Sequence, residues 1–459
     1  MIKNALRYAE KHQEQAVREL CELVKIPSCS FPGFPPAELT RAAHAVCGLM
    51  KKSGLEHVRF LQVPGAPPYV YADWLHASGK PTLLLYAHYD VQPVGNVKKW
   101  KSPPYKPTVR AGRLFGRGTA DDKAGAVIHA ASVAAYLKTC GRLPLNVKIL
   151  IEGEEECGGS HLSGLLKRFK SLLRSDVLVI ADSGNAETGL PSLTTSLRGL
   201  VAMDVEVSAL DHSLHSGMWG GPLPDPVQAL SKMIASLSLP DGRIAIPGIH
   251  KGIRPLNALE KKSYASLRYS DGLLRKQAAM LSGTKIIGGK ATALEKMWRL
   301  PSVSVNAIQA SSRKEVSNVV NGSVWCRMGI RTVPDMDNAR VLRLFKAHLL
   351  KNAPWGVKVS FSNEGTGPWW TTDSDSKLFC SARKALSAGY GREAVCVGTG
   401  GSIPFVGELS EAFGGAPALL IGVEDPASNP HSENESLDLG DLKKAVRASV
   451  RLYDELSKI

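Results

Sequence analysis

The stretch Thr82-Leu-Leu-Leu-Tyr-Ala87 runs directly into His88-Tyr-Asp90. Its apolar run is typical of a strand buried on both faces of a parallel sheet. Residues two apart on an extended chain point the same way, so the imidazole of His88 and the carboxylate of Asp90 can lie side by side. The pair suits a metal-bound histidine with a supporting carboxylate. On its own it is also compatible with an ordinary surface or core histidine.

Three further apolar runs, at 147–151, 177–181 and 418–423, resemble this strand. Each is followed by polar residues and then by a helical pattern, as parallel strands that alternate with helices are. The sheet therefore receives strands from both ends of the chain. We predict an α/β fold in which residues 1–195 and 368–459 form one domain, with a mixed, mostly parallel sheet flanked by helices.

The residues between these two parts are predicted to form an inserted domain, 196–367. An alternating strand pattern occupies 200–207, and further strand patterns follow at 303–308 and 324–330. Strands with intervening helices favour an α+β domain with an antiparallel sheet. At 459 residues the chain is longer than one hydrophobic core usually supports, which also favours two domains.

The segment Gly116-Arg-Gly-Thr-Ala-Asp121-Asp122-Lys123 precedes a helical run at 124–137. Two adjacent carboxylates repel each other unless a cation or a helix N-terminus compensates their charge. An aspartate that caps the helix explains this motif as simply as a metal ligand does.

Acidic residues and a second histidine follow the other predicted strands. The run Glu152-Gly-Glu154-Glu155-Glu156 ends the strand at 147–151, Asp182 follows the strand at 177–181, and His431 follows the strand at 418–423. Ligands of open α/β sheets collect at the carboxyl ends of the strands. Oxygen and imidazole ligands without cysteine suit zinc, manganese or cobalt, and a set of this size suits two ions bridged by a carboxylate.

Composition excludes several other classes. The formal net charge is +15, but the basic residues are scattered, without the patterns of a nucleic-acid-binding protein. The eight cysteines are widely spaced and include no C-x-x-C pair, which is typical of thiols in a reducing compartment. Neither a signal-peptide core nor an apolar stretch near membrane-spanning length is present. We therefore expect a cytoplasmic enzyme without nucleic-acid or membrane partners.

Several motifs in this order together resemble one enzyme family. It is the co-catalytic di-zinc metallopeptidase family of carnosinase-like cytosolic dipeptidases, carboxypeptidase G, aminoacylase and acetylornithine deacetylase, and the chain is most similar to the dipeptidase branch. The motifs are His88-Tyr-Asp90, Gly116-Arg-Gly-Thr-Ala-Asp-Asp-Lys123, Glu154-Glu-Glu-Cys-Gly158, Asp182, Asp211-His-Ser-Leu-His-Ser-Gly217, Arg331, Gly400-Gly-Ser402 and His431.

The resemblance implies two zinc ions per subunit in the discontinuous domain, with manganese or cobalt as alternatives. One ion is expected on His88, Asp121 and Asp182. The other is expected on Asp121, Glu156 and His431, so that Asp121 is the bridge. The peptide bond between Asp121 and Asp122 is expected to be cis.

Further roles come from the same resemblance. Glu155 matches the general base, and Asp90 matches the residue that orients the first histidine. His215 matches a donor to the developing oxyanion. The inserted domain is expected to act as a lid and to form a homodimer. Substrate contacts are expected from Arg331, Gly401 and Ser402.

Two departures bear on the substrate. Dipeptidases of this group often carry an acidic residue just before Gly-Gly-Ser, where this chain has Thr399. Asp182 is aspartate rather than glutamate, as in the aminopeptidase and dipeptidase branches. The leading hypothesis is a dipeptidase acting on small peptides. The alternative is an N-acyl-amino-acid deacylase of the acetylornithine deacetylase or succinyl-diaminopimelate desuccinylase type. A non-catalytic anion-binding protein would rest on net charge alone.

Overall fold

A computed structural model describes residues 1–314, 316–401 and 404–459. Ser402, a predicted substrate contact, lies outside these residues. The described chain divides into two compact units. The first comprises Met1–Thr195, Thr372–Val397 and Phe405–Ile459, and the second comprises Ser196–Thr371 with Gly398–Pro404. That the first unit is a catalytic domain and the second a lid remains a prediction.

The strands are numbered in chain order. They are β1 Glu56–Leu61, β2 Tyr69–Trp74, β3 Thr82–His88, β4 Thr108–Arg110, β5 Arg113–Phe115, β6 Asn146–Glu152, β7 Val177–Ile180, β8 Ser192–Leu197, β9 Gly199–Ser208, β10 Leu214–His215, β11 Ser302–Gln309, β12 Val319–Val320, β13 Ser323–Thr332, β14 Lys358–Gly367, β15 Trp370–Thr371, β16 Val395–Thr399, β17 Ala418–Leu420 and β18 Ser436–Asp438.

The α-helices are numbered in the same way. They are α1 Ile2–Lys11, α2 Gln13–Val24, α3 Pro36–Ser53, α4 Lys123–Cys140, α5 Leu162–Leu173, α6 Ser216–Trp219, α7 Pro226–Ala235, α8 Ala258–Ser266, α9 Asp271–Gln277, α10 Ala293–Trp298, α11 Asn338–Lys351, α12 Lys377–Tyr390, α13 Pro404–Ala412 and α14 Leu439–Leu456. Short 3-10 helices occur at Val97–Lys99 and Glu155–Cys157.

The main sheet of the first unit has the strand order β1-β2-β6-β3-β7-β17-β8. Its centre is parallel, since β3 pairs in parallel with β6 and β7, and β7 pairs in parallel with β17. Antiparallel pairs with β2 and β8 flank this centre. The leucines of β3 are fully buried, as their apolar sequence predicts. The predicted α/β class, with strands from both ends of the chain, is confirmed.

Helix α4 is buried along most of its length and packs between β3 and the helices α1 and α14. Its many alanines allow this close packing because they add little bulk. The carboxylate of Asp122 caps its start by accepting a hydrogen bond from Gly125 N at 3.2 Å. Gly141, in the left-handed region with φ of 64°, ends it. The capping interpretation of the acidic pair is therefore right for Asp122.

The second unit contains an antiparallel sheet of order β11-β13-β9-β14. Alternate residues of β9, such as Val201, Met203 and Val205, are buried. They belong to one hydrophobic core with residues of α7 and α11, including Leu230 and Phe345. The predicted α+β insert with an antiparallel sheet is confirmed.

Two absences hold for the residues that the structure describes. Within the described residues, no disulfide joins any of the cysteines. None of the helices described has the length and apolar character needed to cross a membrane.

Candidate metal centre

The carboxyl ends of the parallel strands bring the predicted ligands to one rim of the first unit. His88 is the last residue of β3 and lies in register with Glu152 at the end of β6. Asp182 follows β7 by two residues, and Glu156 lies in the 3-10 turn after β6. Parallel strands end at the same edge, so residues far apart in sequence meet there.

Asp121 stands between two histidines. Its Oδ1 lies 3.0 Å from Nε2 of His88, and its Oδ2 lies 2.9 Å from Nε2 of His431. The two carboxylate oxygens therefore face different imidazoles. This is the arrangement that a carboxylate bridging two cations requires.

Two ligand groups share Asp121. In the group of His88, Asp121 and Asp182, and in the group of Asp121, Glu156 and His431, the ligand atoms lie within 4.8 Å of one another. Glu156 Oε2 is 3.2 Å from Nε2 of His431, and Asp182 Oδ1 is 3.9 Å from Nε2 of His88. Both sets contain nitrogen and oxygen donors without thiolate, which suits divalent ions such as zinc, manganese or cobalt.

Asp90 supports the ring of His88. Nδ1 of His88 lies 3.1 Å from the backbone oxygen of Asp90 and 3.3 Å from its Oδ1. The other carboxylate oxygen of Asp90 accepts hydrogen bonds from Ser30 Oγ at 2.6 Å and from Glu156 N at 3.0 Å. Asp90 thus links the strand that carries His88 to the turn that carries Glu156, and it leaves Nε2 of His88 directed at Asp121.

The ionisable groups of the rim shift one another's pKa values. Burial, with Asp121 and Glu156 nearby, raises the pKa of Asp182 to about 7 even though His88 opposes the shift. Burial and Asp182 raise the pKa of Glu155 well above its usual range. Hydrogen bonds to Asp121 and Glu156 raise the pKa of His431 to about 11. Cations bound between these carboxylates would favour their ionised forms and oppose these shifts.

The peptide bond between Asp121 and Asp122 is cis, as the resemblance implies. The two side chains have separate partners. Asp122 accepts hydrogen bonds from the backbone of His88 and from Gly125, both in the first unit. Asp121 faces the imidazoles of His88 and His431.

Sequence reasoning missed the ion pair of Arg117 and Glu435, which fixes the loop of Asp121. Arg117 Nη1 donates to Glu435 Oε2 at 2.8 Å. The Glu435 carboxylate also accepts hydrogen bonds from the backbone of Gly118, Ala120 and Asp121. In the sequence, Arg117 and Glu435 are single charged residues near Asp121 and His431. Nothing in the sequence distinguishes them from ordinary surface charges.

Two further contacts of the ligand loops were also missed. Gln92 Nε2 donates to Glu156 Oε2 at 2.8 Å. The buried carboxylate of Glu154 accepts hydrogen bonds from Tyr69 Oη at 2.6 Å and from the backbone of His161 at 3.1 Å. Glu154 therefore anchors the turn that presents Glu155 and Glu156, whereas from sequence alone it was one of several equivalent glutamates.

The remaining predicted site residues lie in the second unit. His215 is exposed, and its Nδ1 accepts a hydrogen bond from Gly217 N at 3.1 Å. Arg331 lies in β13 and is half-buried, while Gly401 is exposed. A residue that the sequence did not suggest, Arg198, donates to the backbone oxygen of Gly400 at 3.1 Å. Burial and then neighbouring Arg331 lower the pKa of Arg198 to about 10.

Comparison with known proteins gives the class of the chain. Residues 84–455 match the model of Peptidase family M20/M25/M40, and the chain belongs to this family. It is 32% identical over 441 residues to a cysteinylglycine-S-conjugate dipeptidase of Corynebacterium striatum, which covers 95% of this chain and 94% of that protein. It is 28% identical over 478 residues to the Beta-Ala-His dipeptidase of Rattus norvegicus, which covers 100% of this chain and 96% of that protein.

A solved structure agrees with these relatives. The crystal structure of human carnosine dipeptidase 1 matches with a TM-score of 0.81 and 27% identity, over 100% of this chain and 99% of that one. The resemblance to the dipeptidase branch, drawn from the motifs, is thereby confirmed. The chain is an enzyme of a metallopeptidase family that acts on peptide bonds.

Proposed function

We propose that the chain is a zinc-dependent dipeptidase that hydrolyses the peptide bond of dipeptides or similar small amino-acid amides. The observation that carries the proposal is the position of Asp121 between His88 and His431, with Asp182 and Glu156 completing two ligand groups around it. The similarity to enzymes named as dipeptidases supports the substrate class.

The ions and the ligand residues have distinct tasks in this proposal. Two zinc ions, when bound, would supply the acidity that ionises a water molecule near neutral pH and would polarise a carbonyl oxygen. His88, Asp121 and Asp182 would hold one ion, and Asp121, Glu156 and His431 would hold the other. Asp90 keeps the His88 ring oriented by its contacts with Nδ1.

Glu155 is proposed as the general base. It lies in the same 3-10 turn as Glu156, and it is half-buried at the rim. Its raised pKa suits a group that accepts a proton from the attacking water and later returns it to the leaving amine. Both transfers use one carboxylate because the proton taken in the first step is the one needed in the second.

The roles of the second-unit residues rest on the family resemblance. His215 is proposed to donate to the oxyanion that develops on the scissile carbonyl. Arg331 is proposed to bind the substrate's terminal carboxylate, because its planar guanidinium matches two carboxylate oxygens. Gly401 and Ser402 are proposed to contact the substrate through their loop.

A substrate panel tests the proposal. Purified, zinc-loaded protein is assayed on dipeptides beside N-acetyl and N-succinyl amino acids. We expect the dipeptides to be preferred. A preference for acylated substrates would instead support an N-acyl-amino-acid deacylase, which uses the same ligand groups with a different pocket.

Metal analysis tests the cofactor. We expect two equivalents of zinc per chain, and activity that a chelator removes and zinc restores. Manganese and cobalt are measured in parallel because the nitrogen and oxygen ligands also suit those ions. Less than one equivalent, without recovery on addition of zinc or manganese, would contradict the proposal.

We also propose a cytoplasmic homodimer formed through the inserted domain. Strand β11 is an edge strand of its sheet and pairs with β13 on one side. Its Val305 and Ile308 are 37% and 54% exposed, which leaves apolar side chains uncovered in this chain. Light scattering during gel filtration is expected to give the mass of two chains, and Ile308→Glu is expected to give the mass of one.

A further inference from the structure

Glu424 is a half-buried carboxylate near the rim, and no donor among the residues that the structure describes hydrogen-bonds to its side chain. Within the described residues, its side chain makes no hydrogen bond or ion pair, whereas Asp90 and Asp122 each accept hydrogen bonds from backbone amides. Asp182 and Glu155 also lack donors, but the proposed mechanism gives them a metal ion and a water proton as partners. Glu424 has no partner in that mechanism.

The backbone holds Glu424 against the loop of Asp182. Gly184 and Glu424 form a parallel bridge, and the backbone oxygen of Glu424 accepts a hydrogen bond from Asn185 N at 2.7 Å. A Cβ added at Gly184 would lie 3.5 Å from Cβ of Glu424 and 3.7 Å from its Oε2. A Cβ at Gly422 would collide with the backbone oxygen of Ser183, so only glycine permits this close approach.

The charges around Glu424 are those of the metal centre. Burial raises the pKa of Glu424 well above its usual range, and Asp121 and Asp182 raise it further. Arg117 is already paired with Glu435. Burial and the nearby carboxylates favour the protonated form of Glu424, and a cation beside this carboxylate would favour the ionised form.

We propose that the carboxylate of Glu424 binds the free ammonium group of the substrate's first residue. This inference rests on the proposed dipeptidase function and deepens it. In a dipeptide the amino nitrogen lies only about 2.5 Å from the scissile carbonyl carbon, from the N–Cα and Cα–C bond lengths. Its binding group must therefore stand beside the metal centre, as Glu424 does.

The role predicts selectivity. An ammonium group paired with the half-buried carboxylate of Glu424 gains a charge-assisted hydrogen bond, and an acylated nitrogen does not. Glu424 would thus favour free dipeptides over N-acyl amino acids.

The test uses two substrates that differ only in the amino group, alanyl-alanine and propionyl-alanine. Wild type, Glu424→Gln and the control Glu411→Gln, which changes an exposed glutamate on α13, are compared as zinc-loaded full-length chains. We expect Glu424→Gln to lower kcat/KM for alanyl-alanine about tenfold to a hundredfold, mainly through KM. We expect it to change kcat/KM for propionyl-alanine less than about twofold. Glu424→Asp keeps the charge and is expected to retain part of the preference.

Zinc content and thermal unfolding are measured on the same samples. An equal loss on both substrates would overturn the inference, and so would loss of zinc from Glu424→Gln, because Glu424 would then serve the metal. If Glu424→Gln does not fold, a Glu424→Asp variant without any preference for alanyl-alanine overturns it. If wild type fails to cleave alanyl-alanine, the proposed function fails. If wild type cleaves it and Glu424→Gln matches wild type, only this inference fails.

Discussion

The guanidinium of Arg117 lies 2.8 Å from the carboxylate of Glu435, and both side chains are almost completely buried. The pair connects the segment that carries His431 to the segment that carries Asp121, because Glu435 also accepts a hydrogen bond from the backbone of Asp121. One buried ion pair therefore connects two ligand-bearing segments that are far apart in sequence. Arg117 and Glu435 are separated by 318 positions.

Glu435→Gln tests this pair. We expect a loss of about 3–5 kcal/mol in the free energy of unfolding, because the buried charge of Arg117 would lack its anionic partner. Urea unfolding of the metal-free protein measures it. Glu187→Gln is the matched control, since Glu187 pairs with Arg392 on the surface, with side chains 46% and 51% exposed. The control substitution is expected to lower the free energy of unfolding by at most about 1 kcal/mol. Equal effects of the two variants would contradict the structural role of Glu435.

The sharing of Asp121 predicts unequal losses of metal. Asp121→Ala is expected to remove both ions, because each ligand group contains this residue. His431→Ala is expected to remove one ion and leave the group of His88, Asp121 and Asp182. Elemental analysis after gel filtration gives the stoichiometry. His76→Ala, which changes an exposed histidine, is the control. Loss of both ions from His431→Ala would show that the two groups are not independent.

Glu155→Gln separates catalysis from metal binding. The variant keeps the shape of the side chain but removes the proton acceptor. We expect the zinc content of wild type and a fall in kcat of about a hundredfold or more on a dipeptide. Elemental analysis and steady-state kinetics measure the two quantities. Unchanged turnover would assign the general base to another residue.

Arg331→Leu tests recognition of the substrate carboxylate. We expect kcat/KM for alanyl-alanine to fall about tenfold to a hundredfold, since a charge-assisted pair is lost. Activity on alanyl-alanine amide, which lacks the carboxylate, is expected to change little. Arg331→Lys retains the charge without the bidentate geometry. Its kcat/KM for alanyl-alanine should lie between those of wild type and Arg331→Leu. An equal loss of activity on both substrates in Arg331→Leu would contradict the proposed binding of the carboxylate.

His129 predicts a pH dependence of stability. It is buried in α4, one ring nitrogen lies 3.0 Å from the backbone oxygen of Tyr86, and burial lowers its pKa to about 4. Between pH 6.5 and 4 the unfolded chain binds a proton that the folded chain excludes. The free energy of unfolding therefore decreases as the pH falls through this window, by about 3 kcal/mol in total. A difference of one pKa unit corresponds to about 1.36 kcal/mol.

His129→Gln keeps a donor for Tyr86 and removes the titration. We expect its free energy of unfolding to fall less steeply than that of wild type between pH 6.5 and 4. Denaturant unfolding of the metal-free proteins at several pH values measures the difference. Parallel profiles for the two proteins would show that His129 does not contribute.

The sequence by itself determined the four central strands of the main sheet, β3, β6, β7 and β17, and that both ends of the chain supply them. Runs such as 82–87 and 147–151 are apolar because both faces of a parallel sheet are covered. Such a run can be recognised in the sequence without knowledge of the fold. The residues at their ends, including His88 and Asp182, could be proposed as ligands for the same reason. Parallel strands expose their carboxyl ends at one edge, so position in the strand implies position in space.

Only the tertiary structure decided which of several equivalent carboxylates face which partner. By residue type alone, Asp121 and Asp122 are equivalent, as are Glu154 and Glu155, and only the family resemblance distinguished them. In the fold, Asp122 caps α4 and Asp121 faces two imidazoles. Glu424 carries no motif at all in the sequence. A side chain's role depends on its direction and on the donors around it, and long-range packing fixes both.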